Sequence, residues 1–261
     1  MKRDKQIFTR PIVVIDSGVG GLSVLHKLYN AFPYETFIYL CKGNVVPLGN
    51  KSVKKIKKIC LSFIYKAKKM RAKLLVVACN TMSLIGKNLF EKSGLPVITV
   101  SPENFLLSEL NKTVISKTKQ ENSFFYSDKL LFCTEKSAKS PAISQLSNIC
   151  SYKVIALKTL AKEIEKNALR LESLNLDSKI VQIAGVDLKK IKRVYLGCTH
   201  YALIKNKFAA LFPDAEIVDG TENICFEVAQ YSDYLSDIKQ ITFLGNGCKR
   251  AEKAFCKIYR L

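Results

Sequence analysis

The chain is poor in histidine and arginine: 261 residues contain two histidines, His26 and His200, and seven arginines. Two imidazoles far apart in sequence leave little for a metal centre, even with Cys79, Cys198 and His200 counted as donors, and no metal is expected. No C-x-x-C pair occurs, so zinc ribbons and thioredoxin-type redox sites lose their main signature. No apolar run approaches the roughly 18 residues of a membrane span. The opening MKRDKQIFTRP is charged and lacks the apolar core of a signal peptide, so a cytoplasmic chain with no membrane partner is expected. The glycines of Ser17-Gly18-Val19-Gly20-Gly21 miss the G-x-G-x-x-G spacing and the Lys-Ser/Thr end of a phosphate loop, which argues against a nucleotide site.

Hydrophobic residues make up 48% and charged residues 25%, the balance of a globular protein with one large domain or two small ones. Nine cysteines are scattered along the chain, and in a reducing compartment most are expected to be free thiols packed as small apolar groups. The net charge is +20, a balance that can mark a nucleic-acid partner. The densest basic stretch, 51–73, places Val53, Ile56, Ile59, Cys60, Phe63, Ile64 and Ala67 at helical spacing. Its lysines therefore form the solvated face of an amphipathic helix, and nucleic-acid binding is not expected.

Apolar strands alternate with amphipathic helices. Strands are read at Pro11–Asp16, at TFIYLC, at Leu74–Cys79 and at Pro96–Val100. The polar stretch Asn111–Asp128 reads as a connection, and the alternation restarts with Lys129–Thr134, Tyr152–Leu157 and Arg193–Cys198. Helical sequence is expected through about Leu188, from His200 to Phe212, near Asn223–Leu235 and over Cys248–Tyr259. This order implies an α/β fold, parallel sheets with helices on both faces. The halves resemble each other: Asp16 to Cys79 spans 63 residues, Cys133 to Cys198 spans 65, and VVACNT matches YLGCTH in pattern.

Cys79 and Cys198 thus stand at carboxyl ends of strands, where open parallel sheets bind ligands. Each precedes a helix whose amide groups favour a thiolate, so both are expected to have lowered pKa values. Facing each other across a ligand, one thiolate could remove a proton while the opposite thiol delivers one, inverting a stereocentre without a cofactor. Asn80, Thr81 and Thr199 could hold an amino acid, and Asp16 and His200 could tune or relay protons. The alternative for both cysteines is plain packing at tight strand–helix turns.

Three segments, DSGVGGLSVL (Asp16–Leu25), VVACNTMS (Val76–Ser83) and LGCTHYALI (Leu196–Ile204), closely resemble the signatures of glutamate racemase, in the same order. The resemblance implies two flavodoxin-like, doubly wound domains related by pseudo-twofold symmetry, with the active site in the cleft between them. On this basis the first domain comprises 1–101 plus 222–261 and the second 102–221. It further implies cofactor-independent racemisation of glutamate, D-glutamate for peptidoglycan, an amino-acid substrate and a homodimer. Cys79 matches the base acting on D-glutamate and Cys198 that acting on L-glutamate, with Asp16 and His200 as auxiliary groups. Ser17, Pro47, Gly49, Asn80, Thr81, Ser137 and Thr199 match substrate-binding positions, and Glu165 stands where the family has a further acidic helper.

The sequence departs from that pattern in the loop after the second strand. Lys42, Val45 and Leu48 replace an acid, an arginine and a tyrosine, while Pro47 and Gly49 are kept. Ser137 and Ala202 replace a threonine and a proline. An aspartate racemase, or a racemase-fold protein that binds a ligand or partner without catalysis, are the competing readings.

Overall fold

The computed structural model describes residues 10–43, 46, 48–101, 104, 128–176, 187–221, 223–232 and 240–260. The first sheet collects β1 (Ile12–Asp16), β2 (Thr36–Cys41), β3 (Leu74–Val77), β4 (Val97–Thr99) and β9 (Gln240–Leu244) in the order β4-β3-β1-β2-β9. The second collects β5 (Lys129–Cys133), β6 (Lys153–Ala156), β7 (Arg193–Gly197) and β8 (Glu216–Asp219) in the order β6-β5-β7-β8. Every pairing is parallel. The runs IVVID and LLVV are buried along their whole length because helices cover both faces of the sheet.

On one face lie α1 (Leu22–Ala31), α9 (Ile224–Ala229) and α10 (Cys248–Tyr259), which close a core around Leu25, Leu28, Val76 and Phe255. On the other lie α2 (Val53–Lys69) and α3 (Asn80–Glu91), packed over Val13, Ile15 and Leu75 through Ile56, Phe63 and Phe90. The second sheet carries α6 (Leu160–Lys166), α7 (Thr199–Ala202) and α8 (Lys205–Leu211) on one side and α5 (Pro141–Cys150) on the other. A short α4 (Glu135–Ala138) follows β5.

Both sheets repeat one order. β1 lies between β2 and β3 with β4 outside β3, and β5 lies between β6 and β7 with β8 outside β7. The order reverses direction beside β1 and beside β5, and such switch points open a crevice at the carboxyl ends of the strands. Cys79 follows β3 and Cys198 follows β7, so the two cysteines occupy equivalent places.

Three helical stretches differ from the sequence reading. The segment 199–212 is two helices, because the chain tightens at Leu203 and Ile204, whose N–H groups bond three residues back to His200 and Tyr201. That turn buries Ile204 beside Tyr201. Between β5 and β6, where no helix limits were read, Pro141 at the first turn of α5 separates it from α4. The helix after β6 ends at Lys166, with short 3-10 turns at Leu171–Ser173 and Leu188–Lys190. The connection read at Asn111–Asp128 lies outside the described residues except for Asp128. The helix read near Asn223–Leu235 ends at Ala229, and the residues from 233 to 235 lie outside the described ones.

Candidate active site

Asp16 ends β1 fully buried, and the chain then turns sharply into α1. Its Oδ1 accepts hydrogen bonds from Gly18 N at 2.9 Å and Ser17 Oγ at 3.3 Å. Its Oδ2 accepts one from Thr199 Oγ1, on the second sheet's side, at 3.2 Å. The turn is made of glycines because other side chains occupy the space. A Cβ on Gly20 would lie 2.5 Å from His200 Nδ1 and from Thr199 Oγ1, and one on Gly18 would overlap the Glu165 carboxylate. Tyr39, on β2, braces the turn by donating its hydroxyl to Gly18 O at 2.7 Å.

Cys79 and Cys198 are N-cap residues of α3 and α7 and are both buried. Cys79 Sγ lies 3.9 Å from Ser17 Oγ. Cys198 Sγ lies 4.0 Å from His200 Nδ1, and His200 Nε2 lies 2.8 Å from Glu165 Oε2. The same Glu165 oxygen accepts the Val19 N–H at 2.9 Å. Asp16, Ser17 and Cys79 therefore meet Cys198, Thr199, His200 and Glu165 in one buried network. The two sulfurs are near enough for charge on Cys198 to act on Cys79.

The surroundings of the two cysteines differ. Burial, and then the Asp16 charge, push the Cys79 thiol well above its ordinary value, despite the helpful amide of Met82. The expectation that the helix amides would lower this thiol is thus corrected: one favourable amide is outweighed by loss of water and a neighbouring carboxylate. Burial pushes the Asp16 carboxyl up, against the pull of the His200 charge. For His200, burial favours the neutral ring, but the contacts with Cys198 and Glu165 outweigh it and raise its pKa well above the ordinary value. For Glu165, burial acts upward, yet His200, the Val19 amide and Arg250 hold the carboxyl below its usual range. Glu165 and His200 thus form a buried ion pair beside Cys198. Cys133, the topological counterpart of Asp16, is a packed thiol pushed up to about 12 by burial.

A second group lies at the start of α3. Thr81 Oγ1 is 3.5 Å from Thr134 Oγ1, which is 3.1 Å from Ser137 Oγ. Asn80 is buried, and among the described residues its Oδ1 meets no hydrogen-bond donor. Such an atom marks a place for a donor-bearing ligand, since burying an acceptor without a partner costs about 1–3 kcal/mol. Gly49 packs on Thr134, where a Cβ would approach its Cβ to 3.1 Å. Leu48 is buried. Pro47 lies outside the described residues.

Sequence reasoning missed three contributors. Thr134 bridges Thr81 and Ser137, and its signal was a Thr-x-x-Ser capping pattern, in which its Oγ1 accepts the Ser137 N–H at 3.3 Å. Tyr39 and Arg250 gave no local signal. The Arg250 guanidinium, from α10, donates to the carbonyls of Glu165 and Lys166. Among the described residues no group of three or more His, Cys, Asp or Glu side chains could hold a metal ion.

No protein-family model matches the chain. A curated glutamate racemase from Clostridium acetobutylicum is 33% identical over 228 residues, which cover 85% of this chain and 84% of that protein. Among solved structures, the glutamate racemase from Campylobacter jejuni superposes with a TM-score of 0.76 at 23% identity, covering 94% of this chain and 96% of that one. The Francisella tularensis glutamate racemase, solved in complex with D-glutamate, gives a TM-score of 0.71 at 21% identity over 95% of this chain and 93% of that one. A relative one-third identical along most of both chains, on the same doubly wound fold, settles the kinship: the chain belongs to the glutamate racemases, amino-acid isomerases.

Proposed function

We propose that this chain interconverts L- and D-glutamate without a cofactor, using Cys79 and Cys198 as the two proton-transfer groups. One observation carries the reading: two thiols from equivalent positions of two sheets enter one buried cluster, Cys79 beside the Ser17 hydroxyl and under the Asp16 charge, Cys198 beside His200. Racemisation only moves a proton, so no redox partner is required. The Francisella protein's D-glutamate supports an α-amino acid as substrate. Asn80 Oδ1 accepts from its ammonium group, and the hydroxyls of Thr81, Thr134 and Ser137 donate to its carboxylates.

With L-glutamate bound, Cys198 takes the α-proton as thiolate, and the His200–Glu165 pair balances the sulfur's charge. The Cys79 thiol, kept protonated by burial and Asp16, delivers a proton to the opposite face. The reverse direction starts with Cys79 as thiolate on D-glutamate. We further propose the division into 1–101 plus 222–261 and 102–221, a cytoplasmic homodimer, and D-glutamate for peptidoglycan as the product's use.

The test is exchange in heavy water, with the reduced protein and both enantiomers of glutamate and of aspartate. NMR follows loss of the α-proton, and chiral chromatography follows inversion. Exchange with inversion of glutamate is expected. Inversion of aspartate alone would keep the mechanism and overturn the substrate. Cys79→Ser and Cys198→Ser are each expected to lower racemisation about a thousandfold. Cys79→Ser should still exchange L-glutamate and Cys198→Ser D-glutamate. Near-normal inversion by either variant would refute the two-thiol assignment.

A further inference from the structure

Glu165 stands in the last turn of α6, a helix of seven residues. Short helices fray at their ends, and their last carbonyls have no partner within the helix. A carboxylate that meets His200 Nε2 at 2.8 Å therefore needs its main chain held from outside. Elements of the first sheet supply that hold. Arg250, the third residue of α10, donates its guanidinium to the carbonyls of both Glu165 and Lys166. The Glu163 carbonyl is taken separately, by the N–H and the side-chain amide of Asn167, each at 2.9 Å. Two residues beyond α6, Ala168 is buried in the core around Leu25 and Phe255. Through its carboxylate Glu165 also accepts the Val19 N–H. Glu165 is thus gripped at both ends by residues of the first sheet's layer, although the histidine it meets belongs to the second. Arg250 is exposed, so water screens its charge, and its hydrogen bonds matter more than its field. The planar fork of a guanidinium reaches two carbonyls at once, and this is one of seven arginines in a chain otherwise basic through lysine.

Resting on the two-thiol reading above, we propose that Arg250 is a positioning residue for the Cys198 half of the reaction: it fixes the last turn of α6 so that the Glu165 carboxylate meets His200. His200 in turn stands 4.0 Å from Cys198 and supports its thiolate. Cys79 does not lie on this line of contacts. Its own neighbours are Ser17 and Asp16, at the exit of β1. The two half-reactions therefore separate. Loosening α6 slows proton removal from L-glutamate and leaves proton removal from D-glutamate as it was. Overall racemisation hides this difference, because the enantiomers have equal free energy and any loss slows both directions alike. Exchange measured with one cysteine at a time reveals it.

The experiment is α-proton exchange in heavy water, with Arg250→Gln added to Cys79→Ser and, separately, to Cys198→Ser. In the Cys79→Ser background, exchange of L-glutamate should fall about tenfold or more. In the Cys198→Ser background, exchange of D-glutamate should be unchanged. Equal losses in both backgrounds would show a general structural effect and overturn the proposal, as would no loss in either. Lys249→Gln removes a charge from the neighbouring position of α10 and should change neither exchange. A loss matching that of Arg250→Gln would assign the effect to diffuse charge and overturn the proposal too. A second readout needs no turnover. His200 is one of two histidines, so its Nε2 proton is assigned by NMR against His26→Gln. Bonded to Glu165, that proton should resonate far downfield in the wild type. In Arg250→Gln it should move upfield or vanish into exchange with water. A signal that does not move, or that the wild type lacks, would overturn the placement of Glu165 by Arg250. A signal that moves in a protein whose wild type exchanges neither enantiomer would overturn the racemase reading and not that placement. Circular dichroism and a urea transition confirm that the variants are folded.

Discussion

A Cβ at Gly20 would press on His200 and Thr199, two buried side chains anchored by Glu165 and Asp16. Neither can step aside without breaking a buried hydrogen bond. Gly20→Ala is therefore expected to destabilise the protein by about 2 kcal/mol in urea denaturation and to cut glutamate racemisation at least tenfold. Unchanged activity would mean that His200 is not positioned by this turn. The Glu165–His200 pair carries a pH signature. His200, raised, contributes stability that is complete below its ordinary value of 6.5 and is lost as pH climbs through its folded pKa. Glu165, lowered, contributes stability that is complete above 4.5 and is lost as pH falls through its folded pKa. The stability difference between wild type and Glu165→Gln should be largest between those two values and shrink on either side. The substitution also spares Asp16 a neighbouring charge, which narrows the difference without reversing it. A difference that is flat with pH, measured by urea denaturation from pH 4 to 9, would show that the pair is not ionised.

Among the elements, α2 shows how local signals set a boundary. Ser52 caps it by accepting the Lys55 N–H at 3.3 Å, and no acid stands in its first turn. Ser52→Ala is expected to cost about 1 kcal/mol, and Lys54→Glu to gain about 0.5 kcal/mol by complementing the helix dipole. Both are read from urea midpoints, with racemisation unchanged. Signals of this kind made much of the fold legible. The apolar runs ending at Asp16, Val77 and Gly197 gave the central strands, and the polar residues after them gave the turns that hold Cys79 and Cys198. The limits of α10 were visible too, from Gly247 before it and a sustained apolar face within it. The break at Leu203 and Ile204 was not, since it depends on where Tyr201 packs. Its hydroxyl donates to Leu157 O at 3.2 Å, a partner on a different strand's exit. Glu165 was placed by family resemblance and not by its own surroundings. Its partners Val19 and Arg250 are 146 and 85 residues away, and separations of that size leave no trace in a periodic pattern.

At the scale of the molecule, the charge of +20 is a standing self-repulsion. Carboxylates relieve it locally, as Glu35 does on Lys73 at 2.7 Å and Asp219 on Lys205 at 3.1 Å. Raising sodium chloride from about 20 to 200 mM shortens the screening length roughly threefold, and the thermal midpoint is expected to rise by a few degrees. A fall in the midpoint would show that attractive pairs outweigh the repulsion. The placing of β9 has a consequence for how the protein is made. It pairs with β2, register Thr36 with Gln240 through Leu40 with Leu244, and without it β2 is the margin of the first sheet. On the ribosome all of the second sheet emerges before β9 does. Until then the apolar β2 presents an open row of amides and carbonyls, the kind of margin that recruits foreign strands. A nascent chain stalled before Gln240 should need a holding chaperone that the finished protein does not.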